Sequence, residues 1–145
     1  MISSITISKK ISLAYSAVCK DLCRELVLPQ TAFDILMFLG NHPQYKTASE
    51  IVETRRIKAN LVSINVDRLV REGYLSRNPV QGDRRKTELL CTEKAQPVIA
   101  RGRQIQNAFS EKLFANVSQE QRIAFQETLH RMEYNLNEIM EENVQ

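Results

Sequence analysis

The stretch that decides the fold runs from Lys58 to Thr92 and reads KANLVSINVDRLVREGYLSRNPVQGDRRKTELLCT. Its first half has apolar residues at the i, i+4, i+7 and i+8 spacing of a buried helical stripe: Val62, Val66, Leu69 and Val70. Two short strand-like runs follow Gly73 and flank a polar turn at Gln81 to Lys86. The stretch therefore predicts a short amphipathic helix ending at Gly73, followed by a β-hairpin with a basic tip.

The helix face opposite this stripe is polar and cationic. It carries Asn60, Leu61, Ser63, Ile64, Asp67, Arg68 and Arg71. Asn can bond adenine at two atoms, Arg can do the same with guanine, and a small apolar group can touch the thymine methyl. For Arg68 and Arg71 two interpretations stay open. The two residues either contact DNA or belong to the solvated face of a surface helix.

Positive charge is concentrated in the middle third of the chain. Residues 46–86 hold ten Lys or Arg and five Asp or Glu, a net charge of +5, although the whole chain carries +3. This is the electrostatic footprint of a surface that binds a polyanion. We therefore expect double-stranded DNA as a partner, with major-groove contacts from Asn60, Leu61, Ser63, Ile64 and Arg68, and with backbone contacts from Arg55, Arg56 and Lys58.

Three motifs here resemble the MarR family of bacterial and archaeal winged-helix transcription regulators. They are VDRLVREGYLSR at Val66 to Arg77, Asp83-Arg84-Arg85, and CTEK at Cys91 to Lys94. The layout of helices is similar to the family over nearly the whole chain. The resemblance implies an obligate homodimer that reads a pseudo-palindromic operator, usually as a repressor. It also implies a possible small-molecule effector, since many members release DNA on binding an anionic or phenolic compound.

By the same resemblance, the hairpin tip is a wing that enters the minor groove through Asp83, Arg84, Arg85 and Lys86. Arg85 resembles the arginine that enters the groove, and Asp83 resembles the carboxylate that braces it. The alternative for Asp83 is a turn aspartate that bonds its own backbone, and both roles can hold together. The sequence departs from the family pattern at Ile64, Asn65, Cys91 and Ala95, which leaves the operator sequence open.

The predicted fold class is mainly α with a small β-hairpin wing. The length suits a single domain, with a winged helix-turn-helix at residues 29–92 and a helical dimerisation region at 1–28 and 93–145. A first helix is expected from about Ser8 to Leu26, with an apolar stripe at Ile7, Ile11, Tyr15, Val18 and Leu22. Pro29 opens a second helix that Gly40 closes at a C-cap position.

A capping box of Thr47 and Glu50 begins the third helix, which runs through Arg55. The wing strands are expected at 74–78 and 87–91, with Thr87, Leu89 and Cys91 facing inward. Two helices follow, at about 93–115 and 119–142, and the second begins with a capping box of Ser118 and Gln121.

The last helix has apolar residues at coiled-coil spacing: Phe125, Leu129, Met132, Leu136 and Ile139. We call these five residues the α6 seam. The seam either packs on the first and fifth helices of its own chain or on a second chain. We favour a homodimer in which the terminal helices interleave, with Ile7, Ile11 and Tyr15 contributing to the interface.

The cysteines favour a structural interpretation. Cys19 and Cys23 lie i, i+4 on one helix, where an intrahelical disulfide would be strained. Buried, inert thiols are the default, and a cysteine-based redox-sensing regulator is the alternative. No thiol has the histidine spacing of a zinc site, so no metal or cofactor is expected.

The sequence does not indicate an enzyme, because it has no glycine-rich phosphate loop, no His-Glu-x-x-His pair and no nucleophile elbow. A rival hypothesis is a winged-helix protein-interaction dimer without specific DNA reading, and the basic tip argues against it. The longest apolar run, Ile35 to Leu39, is far below the roughly 20 residues of a membrane span, and no signal peptide is evident. A cytoplasmic protein is expected. Tyr15, His42 and Tyr45 are candidates near an effector site, although a structural role is favoured for each.

Overall fold

The computed structural model describes residues 3–144. In chain order its elements are α1 (Ser4–Leu26), α2 (Gln30–Asn41), α3 (Ala48–Arg55), α4 (Ala59–Arg71), β1 (Leu75–Val80), β2 (Asp83–Cys91), α5 (Ala95–Leu113) and α6 (Gln119–Asn143). The predicted mainly helical fold with one antiparallel hairpin is confirmed. The chain forms two compact units, one up to Phe109 and one from Ser110.

Helix α1 begins four residues before the predicted start at Ser8. Ser3 is its N-cap, and the Ser3 hydroxyl accepts a hydrogen bond from the Thr6 amide at 3.1 Å. Serine caps a helix well because its side chain satisfies an amide that has no partner within the helix. The helix ends as predicted at Leu26, and Val27 follows in the left-handed conformation with φ 54°.

Helix α2 is the centre of the core in the first unit. Seven of its own residues are buried, and it contacts α1, α4 and β2. The prediction that Gly40 caps this helix was wrong, because α2 continues to Asn41 and His42 is the C-cap. Gly40 instead permits close packing against α5, since a Cβ there would lie 2.9 Å from Ile99 Cδ1. Gly102 does the same from α5, where a Cβ would overlap Met37 Sδ.

The helix-turn-helix forms as the sequence predicts. The capping box of Thr47 and Glu50 is present at the start of α3. Arg56 then adopts φ 53° and turns the chain toward α4. The α4 stripe lies in the core, with Val62, Val66 and Leu69 buried and Val70 half-buried.

The hairpin is longer than predicted, and Gln81-Gly82 joins its strands. Leu89 is buried, and its amide donates a hydrogen bond to the Lys46 carbonyl at 2.6 Å, which ties the hairpin to the segment before α3. Thr87 is exposed, so the prediction that it faces inward was wrong. It forms the last regular pair, with Pro79, before the register of the hairpin breaks.

In the second unit, Ser118 and Gln121 form the predicted capping box of α6. No residue of α6 is buried among residues 119–143, and each residue of the α6 seam is between 39 and 53% exposed. Phe114 and Phe125 pack edge to face at 6.0 Å between ring centroids. Within residues 3–144, no helix has both the length and the low charge needed to cross a membrane.

Candidate nucleic-acid interface

The N-terminal half of α4 presents a mixed polar and aliphatic surface. Asn60 and Ser63 are exposed there, and so are Leu61 at 42% and Ile64 at 62%. Residues three and four apart are neighbours on a helix surface, so Asn60 and Leu61 both lie next to Ile64. Four of the five predicted major-groove residues therefore share one open face of a helix whose other side is fixed in the core.

Arg68, the fifth predicted residue, is held by its own chain. Its guanidinium donates a hydrogen bond to the Val27 carbonyl at 2.6 Å and another to Glu72 Oε1 at 3.1 Å. The side chain is 31% exposed. These contacts join α4 to the corner between α1 and α2, which spacing along the sequence could not reveal because Val27 is 41 residues away.

A second link joins α4 to the hairpin. The Asp67 carboxylate on α4 forms an ion pair with the Arg77 guanidinium on β1. An exposed pair of this kind contributes only about 0.2–1 kcal/mol to stability. The Asp67–Arg77 pair is a direct side-chain contact between α4 and the hairpin. This pair was not predicted from the sequence, although the ten-residue separation of two opposite charges across a predicted turn was a usable signal.

The basic tip of the hairpin is a bulge. Pro79 pairs with Thr87, but the next residue, Val80, pairs with Asp83, so one step on β1 corresponds to four on β2. The three residues left without a partner are Arg84, Arg85 and Lys86. Proline has no amide hydrogen to donate to a strand ladder, and this loss favours a break at Pro79. All three basic side chains are exposed.

Asp83 stabilises the bulge through its side chain. Asp83 Oδ1 accepts a hydrogen bond from the Arg85 amide at 2.9 Å, which is the turn-aspartate alternative. Gly82 has φ +90°, a conformation that glycine adopts without strain. Three ion pairs form within residues 3–144, Arg68–Glu72, Arg77–Asp67 and Arg101–Glu25. Since none of them includes a bulge residue, the three charges at the tip remain available to a ligand.

The three residues predicted to contact the DNA backbone differ in their surroundings. Arg56 and Lys58 are exposed at the start of α4, and Lys58 is its N-cap. Arg55 is also exposed, but its guanidinium carbon lies over the Phe38 ring, 6.0 Å from the centroid. Its role as a phosphate contact stays a prediction.

The comparisons with known proteins agree with this geometry. Residues 27–86, which span the helix-turn-helix and the basic tip, match the model of the MarR family. The similarity to the MarR family model covers less than half of the chain. The solved structures of this family that resemble the chain are those of transcription regulators, and the likeness to them shows the fold. No curated protein matches the sequence.

Solved MarR regulators share the fold at low sequence identity. A regulator from Silicibacter pomeroyi is 20% identical with a TM-score of 0.80, over 91% of this chain and 88% of that one. A regulator from Methanosarcina mazei Go1 is 24% identical with a TM-score of 0.74, over 92% and 97%. A putative MarR family regulator from Listeria monocytogenes, solved with a 26mer DNA, is 16% identical with a TM-score of 0.83, over 94% and 90%.

The chain also has a cavity of about 310 Å³ beside α2. Tyr15 and His42 are among its lining residues, together with Ile11, Ser12, Asp34, Met37, Phe38, Asn41, Arg55, Gln106 and Phe109. The Tyr15 hydroxyl accepts a hydrogen bond from Gln106 Nε2 at 2.9 Å, and burial raises the pKa of Tyr15. Burial also raises the pKa of the Asp34 carboxyl. Tyr45 is not among the lining residues and stacks on Phe38 at 5.2 Å.

The thiols are in environments that disfavour the reactive thiolate. Cys19 and Cys23 are buried and Cys91 is half-buried. Burial raises the pKa of Cys23 to about 11 and raises the pKa of both other thiols. Because the thiolate is the reactive form, these shifts favour inert cysteines over redox sensing.

Proposed function

We propose that the chain is a homodimeric, sequence-specific DNA-binding regulator that represses transcription from a pseudo-palindromic operator in the cytoplasm. The observation that carries this proposal is the combination of an open polar face on α4 with three free basic residues at the tip of the adjoining hairpin. A helix fits the major groove, and a basic hairpin tip fits the neighbouring minor groove or backbone.

In this proposal Asn60, Leu61, Ser63 and Ile64 contact base edges, while Arg56 and Lys58 contact phosphates. Arg84, Arg85 and Lys86 enter or flank the minor groove, and Asp83 holds their backbone. Arg68 positions α4, because its Nε and Nη2 atoms donate hydrogen bonds to Glu72 and Val27. Arg55 is placed beside Phe38 and is a weaker candidate for a phosphate contact.

A homodimer is proposed because the α6 seam is exposed in the single chain. Five apolar residues at heptad spacing gain free energy when a second helix covers them. Ile7 is also exposed and can extend the interface, whereas Tyr15 is already engaged with Gln106 and Phe109. The helical dimerisation region is therefore assigned to 1–28 and 93–145, and the winged helix-turn-helix to 29–92.

Two copies of α4 would meet successive major grooves if they lie roughly 34–36 Å apart. A small-molecule effector in the cavity beside α2 would weaken DNA binding if it favoured a different spacing, through its differential affinity for the two states. The cavity of about 310 Å³ is large enough for a compound of one aromatic ring.

The test is selection of bound sequences from a random duplex pool at near-physiological salt. Wild-type protein is compared with Arg85→Ala and with the matched control Arg101→Ala, which removes an exposed arginine far from the tip in sequence. We expect a two-fold motif with half-sites about one helical turn apart, enriched less by Arg85→Ala and equally by the control. Failure of the wild type to enrich any motif would favour the protein-interaction dimer.

A further inference from the structure

The side chains of α4 that are proposed to contact bases are uncharged and differ in polarity. The four open side chains in its N-terminal half are one amide, one hydroxyl and two aliphatic groups, at Asn60, Ser63, Leu61 and Ile64. None of the four is charged. The two aliphatic side chains are one helical turn apart and flank the same strip of surface.

The groups on α4 that could read G·C pairs are engaged or distant. Bidentate recognition of guanine needs an arginine or lysine, and cytosine is read by a carboxylate. Arg68 bonds to Val27 and Glu72, and the Asp67 carboxylate pairs with Arg77. Arg71 is exposed but is the last residue of α4, seven residues after Ile64 and therefore roughly 10 Å further along the axis.

The remaining amide on this helix is also unavailable. Asn65 is 7% exposed, and its Nδ2 donates a hydrogen bond to the Leu61 carbonyl at 2.8 Å. Asn60 is thus the single open amide on the N-terminal half of α4 within the described chain. An open amide can bond adenine N6 and N7 together.

The side chains of Leu61 and Ile64 restrict which base pairs can lie beside an adenine that Asn60 binds. Ile64 and Leu61 lose no hydrogen bonds and bury apolar area when they contact a thymine C5-methyl group. Against the polar edge of a G·C pair, the same side chains would leave donors and acceptors without partners, which is unfavourable. The surface is therefore complementary to A·T pairs and poorly complementary to G·C pairs.

We propose that α4 selects an A·T step in each operator half-site, with Asn60 bonding an adenine and with Ile64 and Leu61 packed on thymine methyl groups. This inference rests on the proposed function, because it assumes that α4 enters the major groove. The wing agrees with it, since a narrow A·T-rich minor groove has an enhanced negative potential that attracts arginine.

The test removes single methyl groups from DNA. In the duplex enriched by selection, each thymine is replaced in turn by deoxyuridine, which keeps base pairing and lacks only the C5-methyl. We expect one or two positions in each half-site to lose about fourfold in affinity, the fold-change that corresponds to about 0.8 kcal/mol of apolar burial. Deoxyuridine outside the half-sites should have no effect.

A double-mutant cycle assigns the contact to Ile64. Ile64→Ala should bind the original duplex several-fold more weakly and should no longer distinguish thymine from deoxyuridine at one position. Leu90→Ala is the matched control, because Leu90 is an exposed aliphatic residue on β2, outside α4, the hairpin tip and the proposed dimerisation region. It should retain the full methyl effect.

The guanine-reading alternative is tested in the same duplex. Replacing guanine by 7-deazaguanine removes the N7 acceptor, and we expect no loss of affinity within the half-site positions that α4 covers. A selected motif with fixed G·C pairs there, and with a strong effect of 7-deazaguanine, would overturn the inference and leave the proposed function intact. If no motif is enriched, the proposed function fails and the inference fails with it.

Discussion

Helices α4 and α6 both carry an apolar stripe, but only α4 has its stripe covered within the chain. Val62, Val66 and Leu69 of α4 are buried against the core, and its outer face is mainly polar. In α6 no residue is buried, and the exposed residues include five apolar side chains at heptad spacing. The outer face of α4 is therefore the surface proposed to contact DNA, and the exposed seam of α6 is the surface proposed to contact a second chain.

The largest expected effect comes from a charge in the α6 seam. Leu136→Glu places a carboxylate where a second helix would pack, and a buried unpaired charge is strongly unfavourable. We expect monomers in sedimentation velocity and at least about a hundredfold loss of affinity for the selected two-fold duplex, since one reader replaces two.

The control for this variant is Tyr134→Glu. At about 100° per residue, position 134 lies on the opposite side of α6 from Phe125. It introduces the same charge, and the dimer should persist. If Leu136→Glu remains dimeric at micromolar concentration, the α6 seam is not the dimer interface.

A smaller effect is expected from Arg68, the arginine of α4 that the chain itself holds. Arg68→Ala removes a charge-assisted hydrogen bond to the Val27 carbonyl and an ion pair with Glu72. We expect urea unfolding to show a loss of about 1–2 kcal/mol in the free energy of unfolding. Arg71→Ala, on the same helix without such contacts, should change stability by less than about 0.5 kcal/mol. Equal stability losses in both variants would contradict the conclusion that the chain holds Arg68 through hydrogen bonds and leaves Arg71 exposed to solvent.

The wing tip should affect affinity and not stability. Arg85→Ala should weaken DNA binding by at least about threefold and reduce the slope of log affinity against log salt by about one unit, because one charge near the phosphates is lost. Fluorescence anisotropy at several salt concentrations measures both quantities. An unchanged slope would mean that the bulge does not approach DNA.

The smallest effect concerns the thiols. Burial raises the pKa of Cys19, Cys23 and Cys91, so the thiolate fraction at pH 7.5 is low. We expect slow reaction of the folded protein with Ellman's reagent, faster reaction as the pH rises toward 10, and fast reaction in denaturant. Millimolar peroxide should leave DNA affinity unchanged. A thiol that reacts within seconds at pH 7.5 in the folded protein would revive the redox-sensing alternative.

Periodicity and capping signals were enough to predict most of the helices. The stripe of α4 and the capping boxes at Thr47 and Ser118 were confirmed, because both depend on residues within a few positions of each other. Gly40 was mistaken for a cap because glycine has two uses, and its use here depends on Ile99, which is distant in sequence. Long-range packing of this kind leaves no local signal.

The candidate site was also predicted from the sequence only in part. Which residues of α4 are exposed followed from the helical wheel, and the basic tip was evident from its composition. The sequence did not show which of those residues are engaged, since Arg68 bonds to Val27 and Asp67 to Arg77 across the fold. The bulge that frees Arg84, Arg85 and Lys86 depends on strand register, which the position of Pro79 suggests but does not determine.

The most direct test of the account is the mass of the complex between this protein and the selected duplex, measured by native mass spectrometry. We expect two chains of 16.7 kDa on each duplex, and no complex with one chain at protein concentrations that saturate the site. Leu136→Glu should shift the population toward one chain on each duplex. A wild-type complex with a single chain bound at full affinity would contradict the claim that the open face of α6 is completed by a second copy.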